Sequence, residues 1–291
     1  MFTAMTMTAK AYAKINLTLD VVGRRDDGYH LLKTVMQSVS LHDNISITST
    51  DDCDITVHTS NSNIADDKSN LAYKAAAAFF EAAGIATQGI SIDIQKNIPI
   101  QAGLAGGSAD AAGVLYLLNR MFGTDMSHEK LCFIGEKLGA DVPFCLTGGT
   151  VLCEGIGEKL TPLPNIPECF ILIAKPDGGV STAEAYRAVD SLPDAEYPHH
   201  TKFIESIHRG DIKTASSLLY NKFEEALRLP SNAIIRKAAS DCGALGACMT
   251  GSGSSVFAIF DDESLAKRCL DTLKDDMSGV FITAPTKCAV E

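Results

Sequence analysis

The sequence predicts an α+β protein of two domains, the second an antiparallel sheet covered by helices. Three observations carry that prediction. A chain of 291 residues is long for one compact core, so two domains are the default. Three prolines fall within the seven residues 161–167 and divide the chain into 1–163 and 168–291. The chain then ends strand, strand, helix, strand, an order that suggests antiparallel strands covered by helices.

Taken in order, Ala11, Ala13, Ile15, Leu17, Leu19 and Val21 alternate with Lys14, Asn16, Thr18 and Asp20. This period of two predicts a half-buried strand whose second face carries Lys14 and Asn16 together. A polar loop follows at 23–28, and 35–47 supplies further strand. Ser69 or Asn70 can cap an alanine-rich helix that runs to about Ala83, where Gly84 ends it. Residues 90–94 alternate as a strand, and Asp110 to Met121 form a helix with Val114, Leu115, Leu118 and Met121 as its buried stripe. Ser127 starts another helix that Gly139 stops, and 150–153 reads as strand. Beyond the prolines come a buried strand at 170–174 and helices near 182–190, 201–209, 211–226 and 231–241. The closing run places strands at 246–250 and 255–260, a helix at 264–275 and a strand at 280–288. Residues 193–200 read as mobile surface, and the adjacent His199 and His200 are given no role.

Composition excludes several classes. With 46% hydrophobic and 21% charged residues the chain is globular, and no apolar run approaches the ~20 residues of a membrane span. The opening residues 1–7 lack the regions of a signal peptide. Nine cysteines without a CxxC pair fit neither a disulfide scaffold nor a structural zinc site, and point to the reducing cytoplasm. A net charge of −11 argues against nucleic-acid binding, yet allows a polyphosphate if the site supplies N–H groups, a lysine and a metal ion. Monomer and homodimer are both open.

The stretch Pro99-Ile100-Gln101-Ala102-Gly103-Leu104-Ala105-Gly106-Gly107-Ser108-Ala109 joins the 90–94 strand to the helix. A strand, a glycine-rich turn and a helix start aim backbone N–H groups at one point, where the helix dipole favours an anion such as phosphate. Ser108 adds a hydroxyl close to the helix start. A small-residue loop packed under another helix is the alternative. The spacing is neither Walker A nor GxGxxG.

The loop resembles the phosphate loop of the GHMP small-molecule kinases, whose pattern reads Pro-x-x-x-Gly-Leu-Gly-Gly-Ser-Ser/Ala. Here Ala105 stands for a usual glycine, as do Gln101 and Ala102 for usual glycines of the nearer relatives. Ala105 carries a Cβ, so a negative φ is expected there. Further segments, Ala13-Lys14-Ile15-Asn16-Leu17, Asp27-Gly28-Tyr29-His30 and Gly139-Ala140-Asp141-Val142-Pro143, are similar to one branch of that family, and the run 246–255 resembles the family's third motif. They keep the family's order, and Asp-Gly-Tyr-His discriminates the branch.

The resemblance implies a two-domain GHMP-kinase-like fold whose N-terminal part is a mixed sheet with helices. It implies ATP-dependent phosphorylation of the 2-hydroxyl of a cytidine diphosphate-linked methylerythritol in non-mevalonate isoprenoid synthesis, with Mg2+ bridging the ATP phosphates. It implies Lys14 and Asp141 as the catalytic pair and residues 99–109 as the ATP loop. Asn16, Tyr29, His30, Thr182 and Tyr186 become substrate residues, with Tyr29 and His30 at the cytosine and Tyr186 as a second stacking ring. Gly251, Ser252 and Gly253 become a loop that closes over the substrate or ATP phosphates; no residue is assigned to a metal.

Each assignment has a chemical reason and a plainer alternative. A carboxylate can take the proton of an acceptor alcohol, and a lysine can orient it and offset phosphoryl charge. Asp141 could instead be a turn residue before Val142-Pro143, and Lys14 a solvated edge residue. Tyr186 could be a helix residue packed on the core, and Gly251-Ser252-Gly253 a simple hairpin connection. A GHMP kinase for homoserine, mevalonate or a sugar would not need aromatic rings to hold a base. A non-catalytic sensor would not need Lys14 and Asp141.

Overall fold

The computed structural model describes residues 3–192, 197 and 199–291. Two long strands, β1 (Thr6–Arg24) and β2 (His30–Ser49), form an antiparallel pair at its centre. Both extend beyond the expected ranges because their outer ends are polar and partly exposed, where alternation fades. The chain continues through β3 (Ile55–Thr59), α1 (Leu71–Ala83), β4 (Ile90–Gln95), α2 (Gly106–Met121), α3 (His128–Leu138), α4 (Val142–Thr147), β5 (Thr150–Gly155) and β6 (Lys159–Pro162). β2 is shared lengthwise: its first half pairs with β5 and its second half with β4. β3 joins β4 in parallel and β6 joins β5, so the sheet is mixed. Asn70, not Ser69, caps α1, accepting from the Ala72 N–H, and Gly84 ends it at φ 66°.

α2 lies between this sheet and α1, α3 and α4, so it is buried on more than one stripe. Val114, Leu115, Leu117 and Leu118 are all fully enclosed, worth ~1.5–3 kcal/mol each in apolar burial. Gly113 lets the helix sit against β1 and β2, since a Cβ there would stand 2.3 Å from Ile45 Cδ1. The strands β3 and β6 and the helix α4 were not foreseen; each is short, and β6 ends inside the proline-rich segment.

The second half runs β7 (Phe170–Lys175), α5 (Thr182–Val189), α6 (His200–His208), α7 (Ile212–Ser217), β8 (Tyr220–Asn221), α8 (Lys222–Leu227), α9 (Pro230–Asp241), β9 (Gly246–Met249), β10 (Val256–Phe260), α10 (Glu263–Leu273) and β11 (Gly279–Thr283). Its sheet, ordered β11-β7-β10-β9, is antiparallel throughout, as expected. α9 and α10 cover one face through Ile235, Ala239, Ala266, Cys269 and Leu273. The other face, with Ile171, Ile173, Phe257 and Ile259, belongs to the same apolar core as α2.

Two expectations need correction. Residues 211–226 are not one helix: Tyr220 and Asn221 pair in parallel with Thr18 and Leu19, and Asn221 caps α8. The last strand stops at Thr283, after which Pro285 bridges Val39 and Val290 bridges Ala11. The later half thus returns to the first sheet at three places. We keep 161–167 as a proposed domain boundary, between the last strand of the first run and β7. Of the expected mobile loop, residues 193–196 and 198 lie outside the described residues, as do residues 1 and 2 of the opening segment. Tyr197 and His200 point inward instead: the Tyr197 N–H donates to Asp20 Oδ2 at 2.7 Å, and His200 is buried beside the same carboxylate.

Candidate active site

Lys14 is held from three sides. Its side chain is 4% exposed, and Nζ donates to Asn16 Oδ1 at 2.8 Å and to the Gly103 carbonyl at 3.0 Å. Asp141 Oδ2 stands 3.7 Å from the same nitrogen, on a side chain 32% exposed. Register irregularities in β1 fall on both sides of the Lys14–Asn16 segment, a device that re-aims side chains out of a regular ladder. Asp141 is the N-cap residue of α4, yet its side chain makes no capping hydrogen bond. Its carboxylate faces Lys14, which argues against a turn residue alone.

Asn16 is engaged through both ends of its amide. Nδ2 donates to Thr34 Oγ1, while Oδ1 accepts from Lys14 and the Gly251 N–H, with the Thr250 hydroxyl oxygen 3.4 Å away. Thr250 Oγ1 also accepts from the Asn16 N–H and donates to the Gly103 carbonyl at 3.2 Å. At this point two glycine turns touch: a Cβ on Gly103 would lie 2.0 Å from the Thr250 oxygen, and one on Gly251 2.9 Å from Gly103 Cα. Both glycines have positive φ. The expected closing loop is therefore packed on the phosphate loop.

α2 begins at Gly106, a turn earlier than Asp110, and its N-cap residue Ala105 supplies no capping side chain. The first N–H groups of the helix are left for another acceptor. Ala105 has φ 58°, contrary to the negative value expected; Gln101 is also left-handed at φ 50°. The turn needs that conformation, and Ala105 adopts it at a steric cost glycine would avoid. A Cβ on Gly107 would meet nothing within 4 Å, so this position opens into the cleft.

At the far end Tyr186 packs its edge on Phe223, 5.0 Å between centroids, and stacks on His30 at 4.4 Å and 18°. His30 Nε2 lies 2.6 Å from Asp190 Oδ1, which ties the strand after the 25–29 turn to the end of α5. Burial, with a smaller push from Asp141, raises the Tyr186 phenol to about 12. Tyr29 stands on the turn before His30 and is 62% exposed. Thr182 Oγ1 is 3.4 Å from Ser252 Oγ, where α5 meets the 251–253 turn.

One cleft of about 1050 Å³ takes in nearly all of these groups. Lys14, Asn16, Asp141, residues 99–108, Thr182, Tyr186 and 251–253 line it. Ala109 does not, being buried inside α2, and Tyr29 and His30 are not part of its wall.

Comparison with known proteins places this geometry. Residues 70–149 match the GHMP kinases N terminal domain, and residues 203–279 match the GHMP kinases C terminal region. A 4-diphosphocytidyl-2-C-methyl-D-erythritol kinase of Clostridium beijerinckii is 45% identical over 95% of this chain and 99% of its own. The chain belongs to the GHMP kinases. The crystal structure of a 4-(cytidine 5'-diphospho)-2C-methyl-D-erythritol kinase superposes with a TM-score of 0.80, at 32% identity, covering 96% of this chain and 99% of that one. A homoserine kinase from Cytophaga hutchinsonii shares the fold at a TM-score of 0.77, with 21% identity, covering 100% of this chain and 99% of that one. The GHMP fold alone therefore does not choose the acceptor.

This GHMP kinase also brings residues to the cleft that sequence reasoning missed. Ile64, Ala65 and Leu71 line it beside Ile98 and Pro99, an apolar end suited to a flat ring. Leu19, Leu32 and Phe223 line it near Tyr186. Leu19 reads as a core residue of an alternating strand, Leu32 falls before the expected 35–47 strand, and nothing in their spacing marks either as cleft-facing. Lys96 and Asp110 also reach the cleft, from beneath the loop.

Proposed function

We propose that this kinase transfers the γ-phosphoryl group of ATP to the 2-hydroxyl of 4-diphosphocytidyl-2-C-methyl-D-erythritol, giving the 2-phosphate and ADP in isoprenoid precursor synthesis. The observation that carries the reading is the near full-length identity with kinases of that name, over a site whose Lys14–Asp141 pair faces an uncapped helix start.

In this reading the N–H groups at the start of α2 and the Ser108 hydroxyl cradle the triphosphate. The apolar end near Ile64, Leu71 and Pro99 takes the adenine. Asp141 accepts the proton of the attacking hydroxyl, with Lys14 holding the carboxylate and meeting charge on the transferring group. Asn16 acts through Lys14 and the 250–251 turn rather than on the acceptor. Tyr186 offers a ring for the cytosine, His30 sets that ring, and exposed Tyr29 covers the base from outside. Gly251, Ser252 and Gly253 complete the wall over the phosphates. Mg2+ is proposed as the partner of ATP. Among the described residues there is no group of three or more His, Cys, Asp or Glu that could hold a metal ion. All nine cysteines are free, which supports a reducing cytoplasm. Among the described residues no helix is long and apolar enough to cross a membrane.

ADP release measured with the diphosphocytidyl substrate, mevalonate and homoserine in parallel tests the reading. Turnover confined to the first is expected; equal turnover of either other alcohol overturns it.

A further inference from the structure

Beneath the phosphate loop lies a buried ionic group that phosphoryl transfer does not use directly. Asp43 of β2 is fully buried, and its Oδ1 accepts from the N–H groups of Asn97 at 2.5 Å and Ile98 at 2.9 Å. Its Oδ2 accepts from Lys96 Nζ at 2.5 Å, and the same ammonium donates to Asp110 Oδ2 at 2.6 Å. A Cβ on Gly106 would stand 3.4 Å from that nitrogen, so the ammonium sits directly under the helix start. One lysine, directly after the strand that enters the loop, thus ties β2 to the helix that leaves the loop. Two carboxylates against one ammonium leave one negative charge in excess, beside the N–H groups proposed to meet a polyphosphate. Asp110 Oδ1 is buried with no hydrogen-bond partner.

We propose that Asp43, Lys96 and Asp110 form a positioning triad for the phosphate loop, and that Asp110 takes up a proton when the triphosphate binds. The proposal rests on residues 99–109 being the phosphate cradle. A polyphosphate brought alongside a net-negative buried pair raises the cost of ionising Asp110. Burial first, then the Asp43 charge, lift its carboxyl to about 7 against the pull of Lys96, so the proton is exchangeable near neutrality. The remaining neighbours do not compensate. Lys14 of β1 is committed to Asn16, Gly103 and Asp141. Lys74 and Glu81 of α1 are exposed, and burial keeps the Cys145 thiol of α4 neutral. Above pH 7 free Asp110 is ionised, and binding must then draw a proton from solvent. ATP affinity should fall as pH rises, by up to ~tenfold per unit for one linked proton.

Calorimetry of MgATP binding to the full chain between pH 6.5 and 8.5, in buffers of different ionisation enthalpy, reads both the slope and the proton count. The wild-type protein should take up a fraction of a proton and lose affinity above pH 7. Asp110→Asn keeps an oxygen for Lys96 and should show a flatter profile without that uptake; the titration of ATP itself is common to both proteins and cancels. An unchanged slope and proton count in Asp110→Asn overturns the linkage. The double variant Asp43→Asn/Lys96→Met should raise KM for ATP at least ~tenfold with acceptor KM preserved; unchanged ATP KM overturns the positioning role. If the double variant does not fold, the single variant Asp43→Asn, read for ATP KM in the same way, decides the positioning role, and Asp110→Asn decides the linkage. Gly107→Val separates the two readings. Unchanged ATP affinity there overturns the phosphate cradle itself. Weakened affinity there, beside a wild-type profile in Asp110→Asn, overturns the proton linkage and leaves the cradle standing.

Discussion

Asp141 is about one-third exposed while Lys14 is almost wholly enclosed, and the difference matters for a proton acceptor. The carboxylate can reach a bound alcohol; the ammonium cannot leave. Asp141→Asn is nearly isosteric but cannot take the proton, so kcat should fall by ~10²–10⁴-fold. ATP Kd, read by calorimetry, should stay close to wild type, and a variant with near-normal kcat would remove Asp141 from the mechanism. The tyrosines separate by packing. Tyr29→Ala should raise KM for the diphosphocytidyl substrate without lowering Tm, because its ring is exposed. Tyr186→Ala should do both, since the ring also packs on Phe223 and His30. Base–aromatic stacking sets the scale at ~1–3 kcal/mol per ring, or about five- to 150-fold in affinity. Tyr29→Phe should cost less. If both alanine variants raise KM for ATP instead, the two ends of the cleft have been exchanged.

At the level of the element, α2 and the loop before it divide sharply by glycine. Gly106 faces inward, where a Cβ would stand 3.1 Å from Ile98 Cγ2; Gly107 faces the cleft. Gly107→Val should therefore weaken ATP binding with little loss of Tm, whereas Gly106→Val should lower Tm as well. Ala105→Gly removes a left-handed Cβ but loosens the unfolded chain, so stability should move by no more than ~1 kcal/mol in urea unfolding. The sequence pattern revealed these elements unevenly. Regular alternation exposed the middle of β1, and Asn70, Ser127 and Gly84 announced helix ends by side-chain and backbone chemistry. The turn at Ala105 was hidden, because alanine gives no sign of a positive φ. Short pieces such as α4 and β8 were hidden too. Asn221 in particular reads as an ordinary helix residue until the Met249 and Gly251 carbonyls, far along the chain, accept from its amide. Lys14 and Asp141 were recognisable by motif, but the triad beneath them depends on Asp43, whose spacing from Lys96 carries no signal.

Across the whole molecule, Thr250 is where the halves are fastened. Its hydroxyl bonds the Asn16 backbone and the Gly103 carbonyl, both buried or nearly so. Thr250→Val keeps the shape and leaves the buried Asn16 N–H unmatched, while the Gly103 carbonyl keeps its bond from Lys14, at a cost of ~1–3 kcal/mol for the orphaned group. Urea unfolding should report that loss, and kcat should fall with it as Lys14 loses its frame; full stability and full kcat together would show the fastening to be dispensable. The same contact sets an order of events during synthesis. Lys14 leaves the ribosome long before Gly251 does, yet Asn16, which orients it, awaits the N–H of Gly251. With elongation at ~5–20 residues per second, more than ten seconds separate the two. An unfinished chain can therefore present every residue of the phosphate loop and still lack a kinase, so a fragment ending before the 250–251 turn should be silent until that turn is supplied from elsewhere.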